Sequence, residues 1–287
     1  MLKLADHVDR NYYTLDGIPL SDPKHRWVLA EGTEIRSVPA RRNVEHAIPG
    51  VDGAVTNLNP SFEPGALSFG IHVLTGQTHD SAMEVLEMWN GILGQRSRLL
   101  PLDHTYNGVT RRAMVQVVAS TETTHNFMRA ITINVVATIP DVFWRGLEPA
   151  TSTFLPNTTS RLHGLSGGTG PIHDPIIKMY GPFTSVKLEC PAILDEEVVI
   201  RTAASADQEV IFSSKAWAAR IRDRSTSFGL EGSARPGVIS SSGTGTMFSL
   251  APSFNYETLS KDYHIKCTVE GADQSTFGEV YAKLSYL

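Results

Sequence analysis

The chain has 287 residues, 41% of them hydrophobic and 19% charged, enough apolar material for folded cores and too little charge for a disordered chain. Its 25 Lys and Arg stand against 30 Asp and Glu, with 13 basic and 16 acidic residues up to Glu148, so neither half has the basic excess needed to grip a nucleic-acid backbone. Two cysteines, Cys190 and Cys267, are too sparse for a disulfide scaffold, and no apolar run reaches the ~20 residues of a membrane-spanning helix. The expectation is two reduced core thiols, no membrane insertion and no secretory leader, since the N-terminus carries Asp6 and Asp9 and no apolar h-region.

In chain order, the N-terminal half opens with short β segments. Tyr12 to Leu15 leads into the turn Asp16-Gly17-Ile18-Pro19, and Glu34 to Val38 reads as a further strand. Over Ala66 to Leu74, Leu67, Phe69, Ile71 and Val73 alternate with smaller or polar residues, the period of a half-buried strand. One helix is predicted, Ser81 to Leu93. Ser81 and Glu84 have capping-box spacing, Val85, Leu86, Trp89, Ile92 and Leu93 form one apolar face, and Gly94 suits a left-handed C-terminal cap. Arg98 to Leu102, Arg111 to Ser120 and Met128 to Ile139 follow as strands, the last two joined into a long hairpin by Thr121 to Asn126.

From Arg145 to Pro171 the pattern dissolves into Gly, Pro, Ser, Thr and Asn, which reads as a connector and places two domains at 1–148 and 149–287. Beyond it, about eight short strands from Ile176 to Tyr286 with Gly, Pro, Ser and Asp turns predict an all-β sandwich or jelly roll. The fold class is therefore mostly β, an N-terminal β-sandwich or α+β domain with one helix followed by an all-β domain.

Catalysis finds no support in the residue pattern, and no catalytic, cofactor-binding or metal residues are assigned. Gly164-Leu165-Ser166-Gly167-Gly168 matches G-x-S-x-G but lacks the strand before it and the helix after it that expose a nucleophile. The ten histidines show no zinc spacing, and Asp195-Glu196-Glu197 reads as a solvated turn. A glycoside hydrolase using Glu189, Glu196 or Glu197 would need two carboxyls facing each other across a cleft. Arg41-Arg42 and Arg111-Arg112 can project from one edge and pair with carboxylates of a neighbouring subunit. Trp217, Tyr180 and Phe183 are candidates for a glycan-stacking platform if the second domain binds carbohydrate on a host surface, which is the alternative function.

The layout resembles the siphophage distal tail proteins, also called baseplate hub or minor tail proteins. The features that carry the resemblance are Tyr12-Tyr13-Thr14-Leu15-Asp16-Gly17-Ile18-Pro19-Leu20, the stretch from Glu34 to Gly53, the single helix 81–93, the paired strands 111–139 and Pro140-Asp141-Val142-Phe143-Trp144-Arg145. Pro175 to Pro182 and the terminal region Thr276 to Leu287 add to it. The resemblance implies a first domain that assembles into a hexameric ring around a channel for DNA in transit, and a galectin-like or carbohydrate-module-like second domain outside it. It also implies a place at the tail tip of a virion assembled in the host bacterial cytoplasm, with tail-tube, tape-measure and tail-associated hub or fibre proteins as partners.

Overall fold

The computed structural model describes residues 11–35, 39–42, 45–47, 54–56, 61–74, 79–95, 97–125, 130–241 and 247–287. The protein is mostly β with one α-helix among the described residues, and it divides into two compact units, Met1–Leu147 with Leu287, and Glu148–Tyr286.

The first unit starts with β1 (Asn11–Leu15) and β2 (Ile18–Pro19), joined through Asp16 and Gly17, both with positive φ. Two central residues at positive φ make the turn whose twist suits adjacent antiparallel strands, which is why Asp-Gly stands there. Next come β3 (Trp27–Leu29), the two- and three-residue strands β4 (Arg41–Arg42), β5 (Glu45–Ala47), β6 (Ala54–Thr56) and β7 (Ser61–Phe62), and then the long β8 (Gly65–Leu74). Glu34 makes only an isolated bridge to Ser68, and 36–38 lie outside the described residues. Helix α1 (His79–Leu93) is followed by β9 (Leu100–Tyr106), β10 (Val109–His125) and β11 (Ala130–Ile139). Antiparallel pairing runs β3-β8-β11-β10, and β10 also pairs with β9, which pairs with β1.

Leu67, Phe69, Ile71 and Val73 of β8 point to one side and are buried with Val85, Leu86, Trp89 and Leu93 of α1. The alternating strand and the 3.6-period helix thus supply two apolar surfaces that cover each other. Trp27 meets Trp89 edge to face at 5.9 Å. Two details of the predicted helix change. It begins at His79, so Ser81 lies inside its first turn and cannot be the N-cap. Gly94 is not at positive φ; a Cβ there would stand 2.8 Å from the Asn90 carbonyl oxygen, so the glycine serves a close approach rather than a left-handed cap.

The predicted connector is overturned over its first part: Trp144 to Phe154 forms the continuous strand β12. Arg145 and Gly146 pair with Arg112 and Arg111 of β10, and β12 continues to a place beside the last strand of the second unit. Turn-forming composition was outvoted by ladder hydrogen bonds available on both sides, a tertiary effect no local propensity contains.

The second unit is a sandwich. One sheet runs β19-β18-β17-β14-β23, built from β14 (Ile176–Tyr180), β17 (Gln208–Ser213), β18 (Ala218–Asp223), β19 (Ser233–Ala234) and β23 (Phe277–Tyr286). The other runs β13-β22-β15-β16-β20, from β13 (Thr158–Arg161), β15 (Ser185–Glu189), β16 (Glu197–Ile200), β20 (Ile239–Ser241) and β22 (Ser260–Glu270), with β21 (Pro252–Asn255) hairpinned onto β22. Inward residues of both sheets, including Ile177, Met179, Val186, Leu188, Phe212, Ile265 and Val280, make one core. Cys190 and Cys267 are unbonded thiols within it, and burial pushes the Cys267 thiol up to about 12.

Candidate functional site

In the first unit, the sheet side turned away from the buried Leu67/Phe69/Ile71/Val73 row is made of small and polar groups. A shallow depression of about 400 Å³ is lined there by Gly70, His72, Thr132, Asn134, Val136 and neighbours. His72 Nδ1 and Thr132 Oγ1 are 2.7 Å apart, and a Cβ on Gly70 would come within 2.9 Å of Ala30. Along one side lies Val118, the extra residue of a bulge between Val117 and Ala119, which are register partners of Ala137 and Val136. A bulge re-aims the side chain it extrudes, and Val118 and Val136 are both exposed, with Met114 further along β10. The sequence carried a faint sign of this: apolar Val115 and Val117 alternate, and Val118 then breaks the period.

This surface, not a bare strand edge, is the site with the character of a docking face. The terminal strands of the sheet paths, β3, β19, β13 and β20, have only two to four residues. Short edges of that kind discourage edge-to-edge pairing.

Of the predicted interface arginines, Arg41 and Arg42 form β4 against β7, and their side chains lie outside the described residues. Arg112 is engaged in its own chain, Nε 2.7 Å and one terminal nitrogen 2.8 Å from the two oxygens of Asp103. That carboxylate holds the guanidinium pKa above its ordinary value. Arg111 stands beside it, paired in register with His104 and Gly146. Leaving Asp103 for a neighbour's carboxylate would exchange one bidentate pair for another, so Arg112 offers little net attraction.

The predicted stacking platform is corrected by burial. Phe183 is 2% exposed and part of the second unit's core, while Trp217 packs against that core, edge-on to Phe212 at 5.8 Å. Tyr180, 8% exposed, is on the opposite side of its sheet, stacked on Phe277 at 4.3 Å. The three rings share no surface on which a sugar could lie.

Tyr180 belongs instead to a buried polar layer that sequence reading missed. Lys178 and Glu209 are both fully buried on the outward side of β14 and β17. Lys178 Nζ donates to the Ser225 carbonyl at 2.7 Å and sits 4.0 Å from the Phe228 ring centre, with Glu209 at 3.9 Å. Glu209 accepts from Arg222 Nε at 2.6 Å and from the Ser225 amide at 3.2 Å, and Tyr180 donates to Glu279 at 2.8 Å. Arg222 also donates to the carbonyls of Gly229 and Ser227. The segment 224–232 is thereby pinned over the sheet. Burial lowers the Lys178 pKa and, ahead of the Glu279 bond, raises that of Tyr180. The available signal was a lone charge inside each apolar strand, Ile176-Ile177-Lys178-Met179 and Glu209-Val210-Ile211-Phe212.

The remaining chemical candidates resolve into structural parts. Ser166 follows a single 3₁₀ turn, His163–Leu165, and no helix succeeds it. Glu197 pairs with Lys187 at 2.5 Å, and Glu189 with Lys187 at 3.5 Å and Lys266 at 2.9 Å, a ladder of alternating charge across β16, β15 and β22. Glu196 is separate from them, accepting from the Ser249 amide, its pKa raised by burial. Among the described residues no group of His, Cys, Asp and Glu is placed to hold a metal ion, and no helix is long and apolar enough to cross a membrane.

Comparison with known proteins adds the following. No protein-family model matches the chain, and no curated protein matches it by sequence. Among solved structures, the chain is similar to the Dit (gp 19.1) protein of phage SPP1, described as a paradigm of the hub adsorption apparatus in phages that infect Gram-positive bacteria. That likeness has a TM-score of 0.56 at 14% identity, covering 96% of this chain and 99% of that one. The baseplate of phage P2 in its activated, Ca-bound conformation contains a chain matched at a TM-score of 0.39 and 9% identity, over 96% and 99% of the two chains. The likeness to the SPP1 Dit protein is one of fold, over nearly the full length of both chains.

Proposed function

We propose that this chain is a structural protein of a siphophage tail tip, with no catalytic role. Six copies form a ring that joins the tail tube to the tip or fibre proteins, leaving a channel through which DNA leaves the virion. The ring sits at the distal end of the tail and is assembled in the cytoplasm of the host bacterium; its contacts are the tail-tube, tape-measure and tail-associated hub or fibre proteins. The observation that carries this reading is the likeness to the SPP1 Dit protein, which spans both units rather than one interchangeable β domain. A likeness of fold leaves function to the surfaces, and the surface in favour is the outward side of the first unit's sheet, where Val118, Val136 and Met114 are exposed beside small polar residues. Exposed apolar residues on a neutral sheet face are compatible with a contact surface there.

Light scattering on the purified chain tests it. The expected mass is about six times the 31.3 kDa chain, with rings visible by negative stain, and the double substitution Val118→Asp with Val136→Asp should return a folded protein of single-chain mass. A parent that stays monomeric at high concentration, alone and with its tail-tube protein, would remove the ring.

A further inference from the structure

We infer that the tip of the β21–β22 hairpin, residues 254–259, is a peripheral lipid-contact finger whose side chains enter the headgroup layer of a zwitterionic bilayer. Five large hydrophobic side chains among the described residues are more than 60% exposed, and three of them, Phe254, Tyr256 and Leu259, fall within these six positions. Strand pairing places them at the end of a projection. β21 pairs with 260–263 of β22, whereas β13 pairs with 264–267 and β15 with 266–270. The turn end of the hairpin therefore lies past both neighbouring ladders, and 253–259 are exposed throughout.

The finger is held in one shape by its own polar groups. Asn255 Oδ1 accepts from the amides of Glu257 and Thr258 at 2.9 and 3.1 Å, Thr258 Oγ1 donates to Ser260 Oγ at 2.9 Å, and Ser253 Oγ donates to the Asp262 carbonyl at 3.0 Å. An apolar tip ordered in advance gives up little conformational freedom on contact. Leu259 stands at φ 52, the left-handed region that glycine occupies at no steric cost, and its side chain is 81% exposed. A leucine there serves neither the turn nor the core, which leaves contact with something outside the chain.

Area and charge select the occupant. Two rings and one leucine, at ~150–250 Å² for a whole aromatic side chain, fall well short of the ~800 Å² per partner of a stable protein interface. A second copy or another protein would have to wrap the finger, while a bilayer needs no matching shape. Phenylalanine and leucine gain by leaving water, and tyrosine, apolar in its ring and polar at its hydroxyl, suits the headgroup level. No charge draws the tip to an anionic surface: Glu257 and Lys261 offset each other, Asp262 is paired with Arg161 at 2.6 Å, and the whole chain carries −5. The lipid class is therefore a zwitterionic phospholipid.

The inference needs one folded copy of the second unit and no ring, although a ring would raise the apparent affinity by presenting several fingers to one surface. The test uses the full chain carrying Tyr256→Trp, titrated to millimolar lipid with phosphatidylcholine vesicles whose acyl chains are plain or brominated. The added tryptophan's emission should shift to the blue, and brominated vesicles should quench it to half or less. Adding Phe254→Asp with Leu259→Asp should weaken lipid affinity tenfold or more, and adding phosphatidylglycerol to the vesicles should give no gain. All variants should melt with the parent, since Tyr256 makes only a 3.4 Å contact to Glu257 and the other two side chains are exposed. Emission unmoved by millimolar lipid, quenching indifferent to the aspartates, or binding that appears only with anionic lipid overturns the inference. So does a concentration-dependent mass that the aspartates abolish, which would give the tip to a second copy. A single-chain mass by itself would sink the ring and leave the lipid contact standing.

Discussion

In the first unit, the sheet side facing away from the buried aliphatic row is left open and carries Gly70, His72, Thr132, Asn134 and Val136. In the second unit, the outward side of β14, β17, β18 and β23 carries Lys178, Glu209, Arg222, Tyr180 and Glu279 and is roofed by residues 224–232. One unit exposes neutral groups such as Asn134 and Val136 with His72 half exposed and Gly70 and Thr132 buried beneath them, and the other desolvates full charges. The difference is instructive because desolvated charge is stable only when its partners are complete, whereas a neutral small-residue surface tolerates both solvent and a docked neighbour. The open side is therefore where the proposed ring contact would fall, and the roofed side holds one loop in one place.

The sharpest way to break that contrast is to remove the acceptor at its centre. Glu209 takes hydrogen bonds from Arg222 and from the Ser225 amide, and faces Lys178. Replacing it by leucine takes the buried carboxylate away from two buried cations, which keep only their neutral carbonyl and ring contacts and the exposed Glu231, and leaves the Ser225 amide without this acceptor; the expected cost is about 3–5 kcal/mol in denaturant unfolding. Residues 224–232 should become the first point of proteolytic cleavage. A loss under about 1 kcal/mol would mean the layer is hydrated and the roof rests on Phe228 stacking with Tyr281 at 4.5 Å.

A gentler substitution separates the partners. Lys178→Met removes the second cation but leaves Glu209 with Arg222 and Ser225 intact, in a site already rich in aromatic surface. The expected change is about 1 kcal/mol or less, since a buried charge is exchanged for an apolar chain of similar length. Unfolding free energy decides it: a loss as large as that of Glu209→Leu would make the lysine, not the carboxylate, the anchor.

What the sequence disclosed follows the same division. The alternation of Leu67, Phe69, Ile71 and Val73 and the apolar face from Val85 to Leu93 were readable because each element buries one side, so period and burial coincide. The strand Trp144–Phe154 was not readable, since its pairing depends on partners distant in the chain, β10 before it and β23 after it. The charged layer escaped for a related reason: Lys178 and Glu209 are 31 positions apart and look like solvent-facing residues until β14 and β17 are paired. The placement of Tyr180, Phe183 and Trp217 was equally unreadable, since exposure is a tertiary property.

The smallest expected effect concerns Glu196, which has no cation among the partners that shift it; its raised pKa comes first from burial, against the lowering bond from Ser249. A carboxyl whose folded pKa lies above its unfolded value favours the folded state when protonated. Its contribution is fully present below the unfolded pKa and is lost as pH rises through the folded one. At neutral pH the half-buried carboxylate is thus a cost that glutamine does not carry, while glutamine keeps an oxygen for the Ser249 amide. Glu196→Gln should melt slightly above the parent at pH 7 to 8, by a few degrees at most, and the gap should close toward pH 4 as the parent's carboxyl takes up its proton. A gap constant across that range would mean the side chain is hydrated when charged, and burial without a partner charge would not be what distinguishes it from Glu209.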